Sequence, residues 1–144
     1  MILDNLLVVS SGQQVTADAF SSYSVDCENV TPKRQVGSGE PMAFVMAITA
    51  IGTTSGSSKI QVVESSAADL NTTPVVIAEQ DLATADLAAG KVYCFPIPAG
   101  RPLTRYIGMY HDITGTVDYT VTAALIPLSF AQMVLPKYAK GYSA

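Results

Sequence analysis

The side chains able to do chemistry in this chain are one histidine, two cysteines, twelve carboxylates and several serine pairs. His111-Asp112 has the residue types of an oriented general base. A base and the carboxylate that orients it must share a face, however, and neighbours on an extended strand point to opposite faces. His111 therefore reads as a structural or surface histidine. Ser10-Ser11, Ser21-Ser22 and Ser65-Ser66 offer hydroxyl nucleophiles, but none lies in a Gly-x-Ser-x-Gly turn and a single histidine would have to serve them all. The carboxylates Asp4, Asp18, Asp26, Glu28, Glu40, Glu64, Asp69, Glu79, Asp81, Asp86, Asp112 and Asp118 are dispersed and make no Asp-x-Asp-x-Asp-Gly calcium loop. Nowhere do His, Cys, Asp and Glu gather at metal-ligand spacing. No catalytic residue, metal or cofactor is expected, and the chain reads as a non-enzyme whose product is shape.

Cys27 closes an apolar-alternating run and Cys94 sits inside Val92-Tyr93-Cys94-Phe95, positions that suit two inert buried thiols. The alternative is a disulfide, which would imply an oxidising compartment. Asn29-Val30-Thr31 and Asn71-Thr72-Thr73 match the glycosylation pattern, a short pattern that arises often by chance. With 144 residues, 49% hydrophobic and 14% charged, the chain suits one compact domain with a core of its own. A net charge of -4 and a pI near 4.7, without a Lys/Arg cluster, argue against a nucleic-acid partner. No apolar run approaches the roughly 18 to 20 residues that span a bilayer, so no membrane is expected. Met1 to Val9 lacks the basic start and cleavage site of a signal peptide, and the protein is expected to be made inside the cell.

Elements that would position these side chains follow from short apolar runs separated by turn signals. The expected strands are Tyr23 to Cys27, Met42 to Ile51, Lys59 to Ser65, Val75 to Gln80, Lys91 to Pro98, Arg105 to Asp112 and Tyr119 to Ile126, with a further one near Gln14 to Thr16. Arg105 to Ile126 reads as a hairpin turning at Thr114-Gly115-Thr116. Asp81 to Gly90 suits a short corner helix capped by Asp81. Connections too long for tight hairpins favour an all-β Greek-key jelly-roll sandwich of about seven to eight strands with extended N- and C-terminal arms. The expected division is a jelly-roll domain over residues 1–126, including the N-terminal arm, and a C-terminal arm over residues 127–144.

Past Pro127 the pattern changes. Two prolines, Pro127 and Pro136, break strand pairing, yet Phe130, Met133, Val134, Leu135, Tyr138 and Tyr142 are too apolar and aromatic for a solvated tail. Such an arm lies either on its own sandwich or on another chain. On the second reading Phe130, Met133, Leu135 and Tyr138 are apolar anchors and Lys137 and Lys140 meet acidic groups at the rim.

Several motifs in order carry a resemblance: Met1-Ile2-Leu3-Asp4, Gly37-Ser38-Gly39-Glu40-Pro41 entering an apolar strand, Leu82 to Gly90 before Pro96-Ile97-Pro98, and Arg105-Tyr106-Ile107-Gly108 leading through Ile113-Thr114-Gly115-Thr116 to a final strand. Over about residues 1 to 126 the chain resembles the capsid cement proteins of tailed phages, the kind known from a Bordetella podophage. This resemblance implies a structural virion protein on the outer capsid surface, made in the host cytoplasm. Its implied partners are the major capsid protein and itself, as a homodimer or alternatively a homotrimer. The arm after Pro127 is longer than the resemblance leads one to expect. A second class is a carbohydrate-binding jelly-roll module, with Tyr106, Tyr110 and Tyr119 as a stacking platform if they share an exposed face. A cupin-like enzyme would need more histidine than His111 alone supplies.

Overall fold

The computed structural model describes residues 7–27, 41–97 and 104–129. Within them lie nine strands: β1 (Val8–Val15), β2 (Ala19–Phe20), β3 (Val25–Asp26), β4 (Met42–Ile51), β5 (Ser57–Ser65), β6 (Val75–Leu82), β7 (Val92–Pro96), β8 (Tyr106–Thr114) and β9 (Tyr119–Pro127). The expected strands are present, β1 being longer than foreseen and β2 additional. In place of the corner helix, β6 runs on through Asp81 and Leu82 and a single 3-10 turn, Thr84–Asp86, follows. Asp81 caps nothing; Asp86 closes the turn by accepting a hydrogen bond from the Ala83 amide at 3.1 Å.

All pairings are antiparallel and nested: β1 with β9, β2 and β3 with β8, β4 with β7, β5 with β6. The long double ribbon so formed wraps on itself, bringing β4 beside β9 and β5 beside β8. The result is a four-stranded sheet, β1-β9-β4-β7, facing a five-stranded one in which β8, flanked by β2 and β3, is followed by β5 and β6. This is the jelly roll. Alternate residues of each strand face inward. Phe44, Met46, Ile48, Val121, Ala123 and Leu125 of one sheet thereby meet Ile60, Val62, Ile107 and Met109 of the other in one dry core.

The expected hairpin at Thr114-Gly115-Thr116 is not there. β8 and β9 belong to different sheets, and the chain crosses the sandwich between them. A turn signal between two β-prone runs fits a hairpin and an inter-sheet crossing equally well; here the burial of Val117 and Tyr119 decides for the crossing. β4 and β5 are joined by a second crossing that lies against the first. The amides of Ser55 and Gly56 donate to the Thr116 carbonyl at 2.9 and 2.8 Å, and the Gly52 amide donates to the Asp118 carbonyl at 2.7 Å. Gly56 fits because a side chain there would strike the backbone of Thr114 and Thr116.

The outward face of the five-stranded sheet carries a cover of its own. The β5–β6 connection folds back over β8, so Leu70 is buried although it lies in a loop, and its backbone takes the left-handed region at φ 63°. Its side chain fills the space that Gly108 leaves open on β8, where a methyl would collide with Leu70 and Ser21. The Ser24 hydroxyl donates to the Ala68 carbonyl at 2.8 Å and the Ser65 hydroxyl to the Thr72 carbonyl at 2.6 Å, pinning the loop at both ends. Leu70→Ala should cost about 2–4 kcal/mol in chemical denaturation, the usual loss for a buried leucine. Gly108→Ala should be costly in the parent and less so on the Leu70→Ala background, with a coupling on the order of 1 kcal/mol; additive costs would refute the contact.

Candidate functional site

Chemistry-bearing groups converge at one place among the described residues, inside the core. Tyr119 opens β9 and points across the sandwich. Its hydroxyl lies 2.8 Å from Ser58 Oγ on β5 and 2.9 Å from His111 Nδ1 on β8, so one phenol ties the four-stranded sheet to two strands of the other. The two rings meet edge-on, with centroids 5.8 Å apart. A neutral imidazole carries one proton, so the chain runs either Ser58 to Tyr119 to His111 or the reverse. In both directions Nε2 has no partner among the described residues.

Burial sets the protonation of this group. Desolvation lowers His111 from 6.5 to about 4 and raises Tyr119 to about 12, the latter partly offset by the Ser58 hydrogen bond. At neutral pH the bridge is therefore uncharged. His111 is 1% exposed; a base that no substrate can reach does no catalysis, and the bridge is structural. The opposite-face argument holds, since His111 faces the core while Asp112 lies on the half-exposed side of β8. Among the described residues no three of His, Cys, Asp and Glu lie close enough to hold a metal ion.

The tyrosine platform does not form, because Tyr119 is in the core. Tyr106 and Tyr110 do share the outward face of β8, half-buried and separately engaged. Tyr110 packs against Phe20 with centroids 4.6 Å apart and the rings tilted by 41°, and burial, reinforced by Asp18 and Asp112, pushes its phenol up. Arg105 lies over the Tyr106 ring at 4.9 Å and grips Asp26 with two hydrogen bonds of 3.0 Å, which raise the guanidinium above its ordinary value. At the sandwich rim an open cleft is lined by Lys59, Asp81, Asp112 and Thr114, with Lys59 and Asp81 3.9 Å apart.

The four-stranded sheet presents something different. On β4, Phe44 and Met46 face the core, so Ala43 and Val45 face out; on β9, Ala123 and Leu125 face the core, so Ala124 and Ile126 face out. Register aligns them into rows: Val8, Ala124, Val45 and Cys94 across all four strands, then Ile126, Ala43 and Pro96. These residues form a second apolar cluster, separate from the core, joined by Leu128 where the chain leaves β9. Alternation of apolar and polar residues, the mark of a sheet with one wet face, is missing from both Met42–Ile51 and Ala123–Ile126. That missing alternation is the sequence signal of this surface. Cys27 and Cys94 form no disulfide with each other. Cys27 is a buried core residue, whereas Cys94 is half-buried on this outward face rather than buried, and burial pushes its thiol up. The expected contact residues Phe130, Met133, Leu135, Lys137, Tyr138 and Lys140 lie outside the described residues.

Against known proteins, the model of the family described as Bbp16 matches residues 9–126. This span runs from the second residue of β1 to the penultimate residue of β9 and reaches every described strand of both sheets. No curated protein matches the chain.

Because His111 is neutral in the folded state down to about pH 4, its linkage to stability has a definite sign. Above about pH 7 it is neutral in folded and unfolded chains alike. As pH falls through 6.5 the unfolded chain takes up a proton that the folded chain refuses, and stability declines until about pH 4, by up to about 3 kcal/mol. Urea denaturation at pH 7, 5.5 and 4 should show His111→Gln losing less stability with acid than the parent, whatever its stability at pH 7. Parallel losses would show that His111 is not the titrating group.

Proposed function

The chain belongs to the Bbp16 family, a family of phage structural proteins, and from that premise we propose that it is a cement protein of the virion. In this reading it binds the outer surface of an icosahedral head and clamps neighbouring major capsid proteins. The observation that carries it is the family match over residues 9–126 coinciding with a complete jelly roll. Such a role requires no reaction. It requires a rigid body with contact surfaces, and modest contacts repeated around a symmetric shell add through avidity. Each site would bury on the order of 1,000 to 2,000 Å² between chains.

The subunit acts as a homodimer, with a homotrimer as the alternative, so that its own symmetry axis can coincide with one of the lattice. The segment after Pro127, which carries Phe130, Met133, Leu135, Lys137, Tyr138 and Lys140, is the element that contacts a neighbour. Apolar anchors with two lysines at the rim predict binding that survives moderate salt.

The test uses heads of the encoding phage assembled without this gene. Purified protein added to expanded heads should co-sediment at a fixed, saturable ratio to the major capsid protein and raise the temperature at which heads open. Removal of residues 130–144 should weaken that binding by about tenfold or more, the loss expected when central apolar anchors are deleted. Failure to co-sediment, or recovery of the protein in the tail or the head interior, would overturn the proposal.

A further inference from the structure

A sheet edge presents a row of unpaired N–H and C=O groups, and natural proteins blunt it with very short strands, prolines, bulges or lysines. Among the described residues, three of the four edges of this sandwich are blunted. β1 shifts register twice along β9, β7 has five residues and ends at Pro96, and β2 and β3 have two residues each. β6 is the exception. It runs eight residues, Val75–Leu82, with neither proline nor lysine, and among the described strands only β5 pairs with it. Its single register shift faces Val62 and Val63 of β5, so residues 78–82 keep regular pairing. Five of its eight residues are exposed, Val75 at 45% and Val76 at 43% among them.

The charge of this edge selects its partner. Gln80 stands opposite Ile60, a core residue, so Glu79 and Asp81 on either side of it face outward. Residues 60–90 hold Glu64, Asp69, Glu79, Asp81 and Asp86 without one Lys or Arg. The Glu79 carboxylate accepts a hydrogen bond from Gln61 Nε2 at 3.1 Å, a neutral partner, and Lys59 Nζ stands 3.9 Å from Asp81, whose side chain is 82% exposed. A second copy of β6 would bring two more carboxylates and no cation, a pairing that like charges disfavour. We propose that β6 is a strand-addition site: an extended segment of the major capsid protein, carrying Lys or Arg, pairs along residues 78–82 and sets its cations against Glu79 and Asp81. Val75 and Val76 supply apolar contact beyond them. In such an addition the main-chain hydrogen bonds give strength and the side chains give selectivity. The proposal rests on the cementing role and adds to it a contact separate from the segment after Pro127.

Hydrogen exchange read by mass spectrometry compares the free protein with protein bound to heads assembled without this gene. Alternate amides of β6 point away from β5. In the free protein these should exchange fast, and on heads those within residues 78–82 should slow by about tenfold or more. The Glu79→Lys/Asp81→Lys variant, changed only at exposed positions, should fold as the parent does and bind heads about tenfold or more weakly. Should it fail to fold, Glu79→Gln/Asp81→Asn takes its place, with a loss in the same direction. Unchanged exchange of residues 78–82 in head-bound protein overturns the site, as does a folded variant that binds like the parent. Slow exchange of all β6 amides in the free protein overturns it too, assigning the edge to a second copy where dilution restores fast exchange and to the chain itself where it does not. A protein that never co-sediments with heads overturns the cementing role and this site with it, whereas bound protein with unchanged β6 exchange overturns the site alone.

Discussion

Everything in this fold hangs on one corner, where two crossings between the sheets lie side by side. The β4–β5 and β8–β9 connections share three amide-to-carbonyl hydrogen bonds. Thr54 adds to them by exchanging hydrogen bonds with the Asp118 backbone, its hydroxyl accepting from the amide at 3.1 Å. Since β4 pairs with β9 and β5 with β8, this corner sets the register of the two central strands of each sheet at once. A one-residue slip would turn Phe44, Met46 and Ile48 out of the core. Tyr119, the first residue past the corner, then fixes the distance between the sheets by reaching Ser58 and His111.

From that corner the two outer faces diverge. The five-stranded sheet is covered by its own loop, with Leu70 over Gly108, and its aromatics are committed to local pairs, Phe20 with Tyr110 and Arg105 with Tyr106. The four-stranded sheet carries apolar residues on its outward face too, in one row that crosses all four strands and a second that crosses three. A polar bridge buried in the core and an apolar surface turned outward invert the usual arrangement. The bridge has a reason: it specifies how the sheets face each other.

How much of this was legible in the sequence depends on range. The strands were readable because β-branched and aromatic runs ended at Gly and Pro, and Met42–Ile51 was bounded to the residue. Pairing was not readable. Thr114-Gly115-Thr116 carries a turn signal, but whether the next strand returns beside the last or crosses to the other sheet is settled by β4 and β5, far earlier in the chain. Whether Tyr119 faces in or out was not readable, because strand parity gives alternation and not which alternate faces in; its hydroxyl partners, Ser58 and His111, meet it only through the crossing. Short β2 fell below any periodic signal, since two residues have no period. The family, by contrast, was legible from motifs in order along the chain, because their succession survives where each alone is common.

Nesting also governs the order in which this chain can be built. β9 sits between β1 and β4, so a middle strand of one sheet is the last of the described strands to be synthesised, and Val8 waits for Ala124. Until then β1 and β4 have no neighbour on that side and the apolar rows of β4 stand open in the growing chain. Local pairing can begin at β5–β6, the one described pair of consecutive strands that bond to each other, but the sandwich closes only once β9 is in place. Folding is therefore dominated by distant contacts and belongs to the slow, concentration-sensitive class. That makes the speed with which β9 inserts as consequential for yield as the stability of the finished sandwich.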